Sequence, residues 1–200
     1  MSINKNGYWE GAEVTSQHWT DTSLADSLII FFKNENATSL IDFGCGMGDY
    51  VKKFRENNIN AVGVDGNPNT PELTNQLCKV MDLSVPVRFD EKFDWVISLE
   101  VGEHLPQEFE DIFIKNLHCN NKYGIILSWA IKGQGGYGHF NEQNNDYIKR
   151  KICELGYIND IGSEMKLRYD CKLPWFKNTI MVFRKLHFYF RGSLIPIVNT

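Results

Sequence analysis

The sequence predicts an α/β fold in one domain, built on a largely parallel sheet. Three observations carry this. Residues Ser39 to Tyr50, SLIDFGCGMGDY, pass from β-prone residues through three alternating glycines into a helical pattern, which reads as strand, tight turn and helix. Further units of the same kind follow, each a short apolar run and then a helical stretch. Between them lies Phe93 to Val101, FDWVISLEV, a nearly continuous apolar run of the kind expected of a central strand buried on both faces.

In chain order, Gly7 to Trp19 is aromatic and irregular, with Tyr8, Trp9, His18 and Trp19; it reads equally as a cap over a pocket or as a segment packed outside the core. Thr22 and Ser23 are good N-cap residues for a helix through LADSLIIFFKNE, whose apolar face is Leu24, Leu28, Ile29, Phe31 and Phe32. Residues 1–35 are therefore an N-terminal cap segment and helix. Strand Ser39 to Phe43, helix Asp49 to Asn57, strand Ala61 to Val64, a short helix to Leu77 and a short strand around Lys79 to Met81 come next. The central strand leads into an amphipathic helix, LPQEFEDIFIKNL, and then a strand from Tyr123 to Ile131. A glycine-rich loop, KGQGGYGHFNEQ, precedes a helix from Asn144 to Leu155, whose end Gly156 marks. Tyr157 to Ile161 and Thr179 to Arg184 form a final antiparallel pair around the helical stretch SEMKLRYDC. Residues 186–200 are a C-terminal tail, more apolar and aromatic than the last strand requires.

A chain of 200 residues, 42% hydrophobic, supports one sizeable core, and no linker or repeat divides residues 1–200. The net charge of −4 gives no attraction to a phosphate backbone, which disfavours nucleic acid as a partner. The densest basic group, Lys149, Arg150 and Lys151, falls on a predicted helix and reads as a solvated face. Cys45, Cys78, Cys119, Cys153 and Cys171 are odd in number and widely spaced, as expected of reduced thiols in a cytoplasmic protein. The N-terminus lacks an apolar leader, and no window approaches the roughly 20 apolar residues of a membrane span.

The glycine turn is where chemistry enters. Gly44, Gly46 and Gly48 let the backbone come close to a ligand, while the helix after them presents unpaired N–H groups, the arrangement of a nucleotide site. A dinucleotide fingerprint GxGxxG needs glycine where this chain has Asp49; the pattern here is DxGxGxG with Asp42 at the strand end. Together with Asp65 ending the second strand, the Asp82-Leu83 pair after the third and the apolar fourth strand, it resembles the class I S-adenosylmethionine-dependent methyltransferases over nearly the whole chain. The resemblance implies a Rossmann-like seven-stranded sheet in the order 3-2-1-4-5-7-6, with strand 7 antiparallel and helices on both faces. It implies S-adenosyl-L-methionine as cofactor, held by Asp42, Gly44, Cys45, Gly46, Gly48, Asp65, Gly66, Asp82, Leu83 and Glu100. Asp65 suits the two ribose hydroxyls, Asp82 the adenine amino group, Leu83 the adenine ring and Asp42 the methionine ammonium. Cys45 reads as a small buried filler rather than a nucleophile.

At the mouth of the fourth strand, Glu100, Glu103 and His104 form ExxEH, which places Glu103 and His104 on the first turn of the next helix. This resembles the metal-binding element of small-RNA 3′-end 2′-O-methyltransferases and of ubiquinone-pathway O-methyltransferases. The resemblance implies Mg²⁺ or Mn²⁺ on Glu100, Glu103 and His104, with His139 as the further ligand. Without a metal, Glu103 simply favours the helix N-terminus and His104 or His139 is the candidate general base. His18 is a third candidate, whereas His118 and His187 look like ordinary helix-end and tail residues. The acidic chain favours O-methylation of a sugar, glycan or other small molecule. A 3′-terminal RNA 2′-O-methyltransferase lacks its basic groove here, and a catalytically silent cofactor-binding subunit of a partner enzyme is disfavoured by the intact ExxEH and His139. Trp175 and Phe176 read as core, or as the floor of an acceptor pocket.

Overall fold

The computed structural model describes residues 2–11 and 18–186. A small antiparallel hairpin, β1 (Ser2–Ile3) and β2 (Trp9–Glu10), precedes α1 (Thr22–Asn34). The alternating part follows as β3 (Ser39–Phe43), α2 (Asp49–Glu56), β4 (Asn60–Asp65), α3 (Thr70–Leu73), β5 (Lys79–Val80), β6 (Phe93–Ser98), α4 (Glu110–Cys119) and β7 (Asn121–Leu127). It closes with α5 (Asn145–Glu154), β8 (Tyr157–Asn159), α6 (Ile161–Asp170), α7 (Phe176–Thr179) and β9 (Met181–Lys185). The predicted tail beyond Leu186, with His187, lies outside the described residues.

Strands β3 to β9 make one seven-stranded sheet in the order β5-β4-β3-β6-β7-β9-β8, in which β9 is antiparallel to both neighbours and the other pairings are parallel. This is the 3-2-1-4-5-7-6 order expected from the sequence. Period-two alternation along the strands builds a separate apolar core on each face. Leu40, Trp95, Ile97, Ile126 and Val182 pack with α1, α2 and α6, while Ile41, Val96, Ile125, Leu127 and Phe183 pack with α4 and α5.

Several boundaries differ from the sequence reading, among them β7, which ends at Leu127 rather than Ile131, and α3, which ends at Leu73 rather than Leu77; three others bear on the site. Strand β6 stops at Ser98 rather than Val101 because Glu100 turns the chain with φ of 53°. The helix expected from Leu105 starts only at Glu110; two short 3₁₀ turns, Gly102–His104 and Gln107–Phe109, come first. Pro106 separates them, since it lacks an N–H and forces the extended conformation of Leu105. The cap of α1 is Asp21, one residue before the expected pair: its Oδ1 accepts from the Leu24 amide at 3.0 Å, and its Oδ2 accepts from the amides of Lys172 and Leu173. No helix among the described residues is long and apolar enough to cross a membrane.

Candidate active site

The turn after β3 is held tightly against its neighbours. The amides of Gly44 and Cys45 both donate to the Val64 carbonyl, at 2.8 and 3.0 Å. Gly44 and Gly46 have φ of +83° and +51°, a region that side chains rarely adopt. There is no room for one either: a Cβ on Gly44 would run into Val101, and one on Gly46 would lie 2.7 Å from the His18 ring. Asp65, ending β4, accepts from the Gly46 amide at 3.0 Å and from the Asn67 amide at 2.9 Å, so the predicted ribose acid also fixes the shape of the turn.

A cavity of about 360 Å³ opens over these strand ends. Every cofactor residue expected from the sequence lines it except Gly48, which instead starts α2 in a left-handed conformation and packs near Thr74 and Cys78. Burial, with the Cys78 thiol and Asp65 nearby, pushes the Asp42 carboxyl well up. The Cys45 thiol, hydrogen-bonded to Cys78 and buried, is also pushed up, which suits a filler.

The hairpin of β1 and β2 covers the cavity. Asn6 donates to Asp82 at 2.7 Å, the Tyr8 ring lies on Gly66, and Asn67 donates to the Gly11 carbonyl at 3.1 Å. Trp9 sets its ring 5.2 Å from that of His104, edge to face, and 5.2 Å from that of His18. Of the two readings of the aromatic N-terminus, the described part follows the cap.

Beside the cavity, three side chains converge. One potential ligand atom each from Glu103, His104 and His139 lies within 4.8 Å of the others, and the two imidazoles meet edge to face with centroids 5.0 Å apart. The backbone explains how the loop after β7 reaches ExxEH: the Glu103 carbonyl accepts from the amides of both Phe140 and Asn141, at 2.8 and 2.9 Å. Trp129 Nε1 donates to the Asn141 carbonyl at 2.6 Å, which locks the same segment to the end of β7. Glu100 stands outside the group of three; its Oε2 accepts from Gln134 at 2.7 Å.

Glu103 is completely buried, and neither of its carboxylate oxygens meets a donor in hydrogen-bonding geometry. Burial and the nearby Glu100 push its carboxyl well up, against a partial offset from the amides of its own residue and Ala130. Burial likewise raises Glu100, and it lowers His104 to about 4, helped by His139. An uncompensated buried acid beside a neutral imidazole costs stability, and a cation would remove that cost.

Comparison with known proteins decides the family. The methyltransferase domain family matches residues 16–119. The chain belongs to that family. A probable chloroplastic tocopherol O-methyltransferase of Oryza sativa subsp. japonica is 24% identical over 179 residues, which cover 78% of this chain and 49% of the relative. The chain thus spans about half the length of that relative. Among solved structures, the magnesium protoporphyrin IX methyltransferase ChlM of Synechocystis PCC 6803 with bound S-adenosylhomocysteine superposes with a TM-score of 0.62 at 18% identity, covering 80% of this chain and 81% of its own. The amino pentose methyltransferase CalS10 of Micromonospora echinaspora, with bound S-adenosylmethionine, gives 0.65 at 12% identity, covering 87% and 95%. At such identities the likeness is one of fold.

Within this methyltransferase domain, two residues of the site escape the sequence reading. Asn6 has no motif around it; only the topology brings it to Asp82. Glu142 left a faint signal, an acid three residues after His139 at the end of the glycine loop, and its Oε1 lies 3.0 Å from His139 Nδ1. The other histidines are placed plainly. His18 lies over the glycine turn at the cavity wall, and His118 ends α4 with Nδ1 3.2 Å from the Tyr157 hydroxyl. Phe176 is buried in the core with Trp175 packed against it, as the core reading expects, and both also border the cavity.

Proposed function

We propose that this chain is an S-adenosylmethionine-dependent O-methyltransferase that methylates a hydroxyl of a sugar, glycan or other small molecule at a divalent-cation centre of Glu103, His104 and His139. The observation that carries the reading is the fully buried Glu103, neither of whose oxygens meets a donor in hydrogen-bonding geometry, beside two histidines at the edge of the glycine-turn cavity. Mixed carboxylate and imidazole donors suit Mn²⁺ and also accommodate Mg²⁺. The cofactor fits the cavity's chemistry: backbone-lined at Gly44 and Gly46, with carboxylates of Asp65 and Asp82 at two strand ends.

Transfer forms a bond from the acceptor oxygen to the methyl carbon and breaks the carbon–sulfur bond, whose electron pair stays on sulfur. The hydroxyl proton leaves to solvent, and the protein's task is to align the two reactants for in-line transfer. A divalent cation supplies Lewis acidity, lowering the pKa of a hydroxyl it binds. The chain contributes the rest. Glu103 would bring a carboxylate in a buried position, His104 stays neutral at physiological pH and keeps a nitrogen lone pair available, and Trp9 packs edge to face on His104.

The test has three arms. Calorimetry should detect S-adenosylmethionine binding that Asp65→Ala abolishes in a folded protein. Turnover should stop with EDTA and return with Mn²⁺ or Mg²⁺; full activity in EDTA would leave only a histidine base. Labelled cofactor offered with separate pools of small metabolites, glycans and RNA should label the first two, and transfer confined to RNA would overturn the acceptor class.

A further inference from the structure

Glu142 sits in the loop between β7 and α5, on a segment fixed from both sides. Asn141 before it donates to the buried Glu110 at 2.8 Å, and the amide of Gln143 after it donates to the Ala130 carbonyl at 3.0 Å. Both oxygens of its carboxylate are engaged: Oε1 accepts from the Gly135 amide at 2.7 Å and faces His139 Nδ1 at 3.0 Å, and Oε2 accepts from the Gly133 amide at 2.7 Å. One side chain thus closes the glycine-rich loop and engages the histidine that the loop carries.

We propose that Glu142 is the positioning residue of the Glu103–His104–His139 centre, holding His139 as the Nδ1–H tautomer so that Nε2 is the lone pair the ring offers. The argument is one of donors and acceptors. An ionised carboxylate only accepts, so the nitrogen it faces must carry the proton. The same logic applies next door: His104 Nδ1 lies 3.0 Å from the Gly138 carbonyl, also a pure acceptor, which leaves Nε2 of His104 unprotonated too. Both histidines are therefore set in the same tautomer by the same loop, one through a backbone carbonyl and one through Glu142. Carboxylates in this outer position orient a ligating imidazole and raise its basicity. The assignment rests on the centre proposed above, but the tautomer can be read without it.

The experiment uses the full chain without metal, at a pH where His139 is neutral. Long-range ¹H–¹⁵N NMR should show the Nδ1–H form of His139 in the wild type, retention of it in Glu142→Gln, whose side-chain oxygen still accepts, and a shift towards Nε2–H in Glu142→Ala. Calorimetry with Mn²⁺ should show about 10- to 100-fold weaker binding in Glu142→Ala, with Glu142→Gln recovering much of it. An Nε2–H ring in the wild type, or an Nδ1–H ring that survives Glu142→Ala, overturns the assignment. A wild type that fails to bind Mn²⁺ while the tautomer shifts as expected removes the cation centre and leaves Glu142 as the residue that sets His139.

Discussion

Asn6 donates a 2.7 Å hydrogen bond to Asp82, joining the N-terminal hairpin to the segment after β5 across the cavity mouth. Asp82 is the acid that the sequence assigns to the adenine amino group, and its other oxygen already accepts from the Ser84 amide and hydroxyl, at 2.8 and 2.6 Å. Oδ2 keeps room for one further donor, so Asn6 and a bound adenine can share it. With adenine on Asp82, the hairpin would act as a latch behind the cofactor. Asn6→Ala removes one hydrogen bond, about 1 kcal/mol, and should speed release of S-adenosylhomocysteine about fivefold. Stopped-flow fluorescence, using Trp9 as a reporter, would measure this; an unchanged release rate would exclude the latch.

The buried Glu103 gives a second prediction. Glu103→Gln keeps the shape but removes the charge that a cation needs. Mn²⁺ affinity should fall by about 100-fold, in line with the loss of a charged buried partner. Without metal the variant should stay within about 1 kcal/mol of the wild type, because both bury a polar side chain with no partner in hydrogen-bonding geometry. Thermal unfolding in EDTA and calorimetry with Mn²⁺ test the two halves separately. A Glu103→Gln protein that binds Mn²⁺ like the wild type would exclude this carboxylate as a ligand.

How much of this was legible beforehand depended on the range of each interaction. Strands such as Ser39–Phe43 and Phe93–Ser98 announce themselves through local apolar pattern, and the glycine turn through residues that only a tight, positive-φ backbone requires. The convergence of His139 on Glu103 and His104 was open to inference only through knowledge of a sheet order. What was not legible rests on contacts far apart in sequence or on single residues. The Asn6–Asp82 bond depends on where a short hairpin folds back. Glu100 resembles a ligand by spacing, yet its positive φ and its bond to Gln134 set it apart from the other three. Pro106 was visible, but its effect, two 3₁₀ turns in place of a first helical turn, changes the direction in which Glu103 and His104 are presented.

Gly46→Ala is the third prediction. At φ of +51° an L side chain is strained, and the new methyl would also press on the His18 ring. The cost in stability should be modest, about 1–2 kcal/mol, because only one residue is strained. Cofactor binding should suffer more, since the backbone at the turn has to move away from the cavity or from Asp65. Calorimetry should show at least a tenfold loss in S-adenosylmethionine affinity in a protein that still unfolds cooperatively. Full affinity would mean that the turn does not approach the cofactor closely.

The last prediction concerns Asp94, which ties the start of β6 to the start of β3. One of its oxygens accepts from the Thr38 amide at 2.7 Å, the Thr38 hydroxyl at 2.8 Å and the Ser39 amide at 3.1 Å; the other faces Lys122 Nζ at 3.1 Å. Burial alone would raise its carboxyl, but the Thr38 donors and Lys122 outweigh burial and hold it below its ordinary value. The sign of the pH effect follows. Below the ordinary aspartate value of 3.8 the unfolded chain takes up a proton that the folded protein resists, so this contribution is complete above 3.8 and disappears as pH falls through the lowered folded value. Asp94→Ala should cost about 2–3 kcal/mol at neutral pH, because two backbone amides and a hydroxyl lose their acceptor. The gap between wild type and variant should narrow as urea unfolding is repeated at pH values below 3.8. A gap that stays constant down that range would show that Asp94 acts through packing and not through its charge.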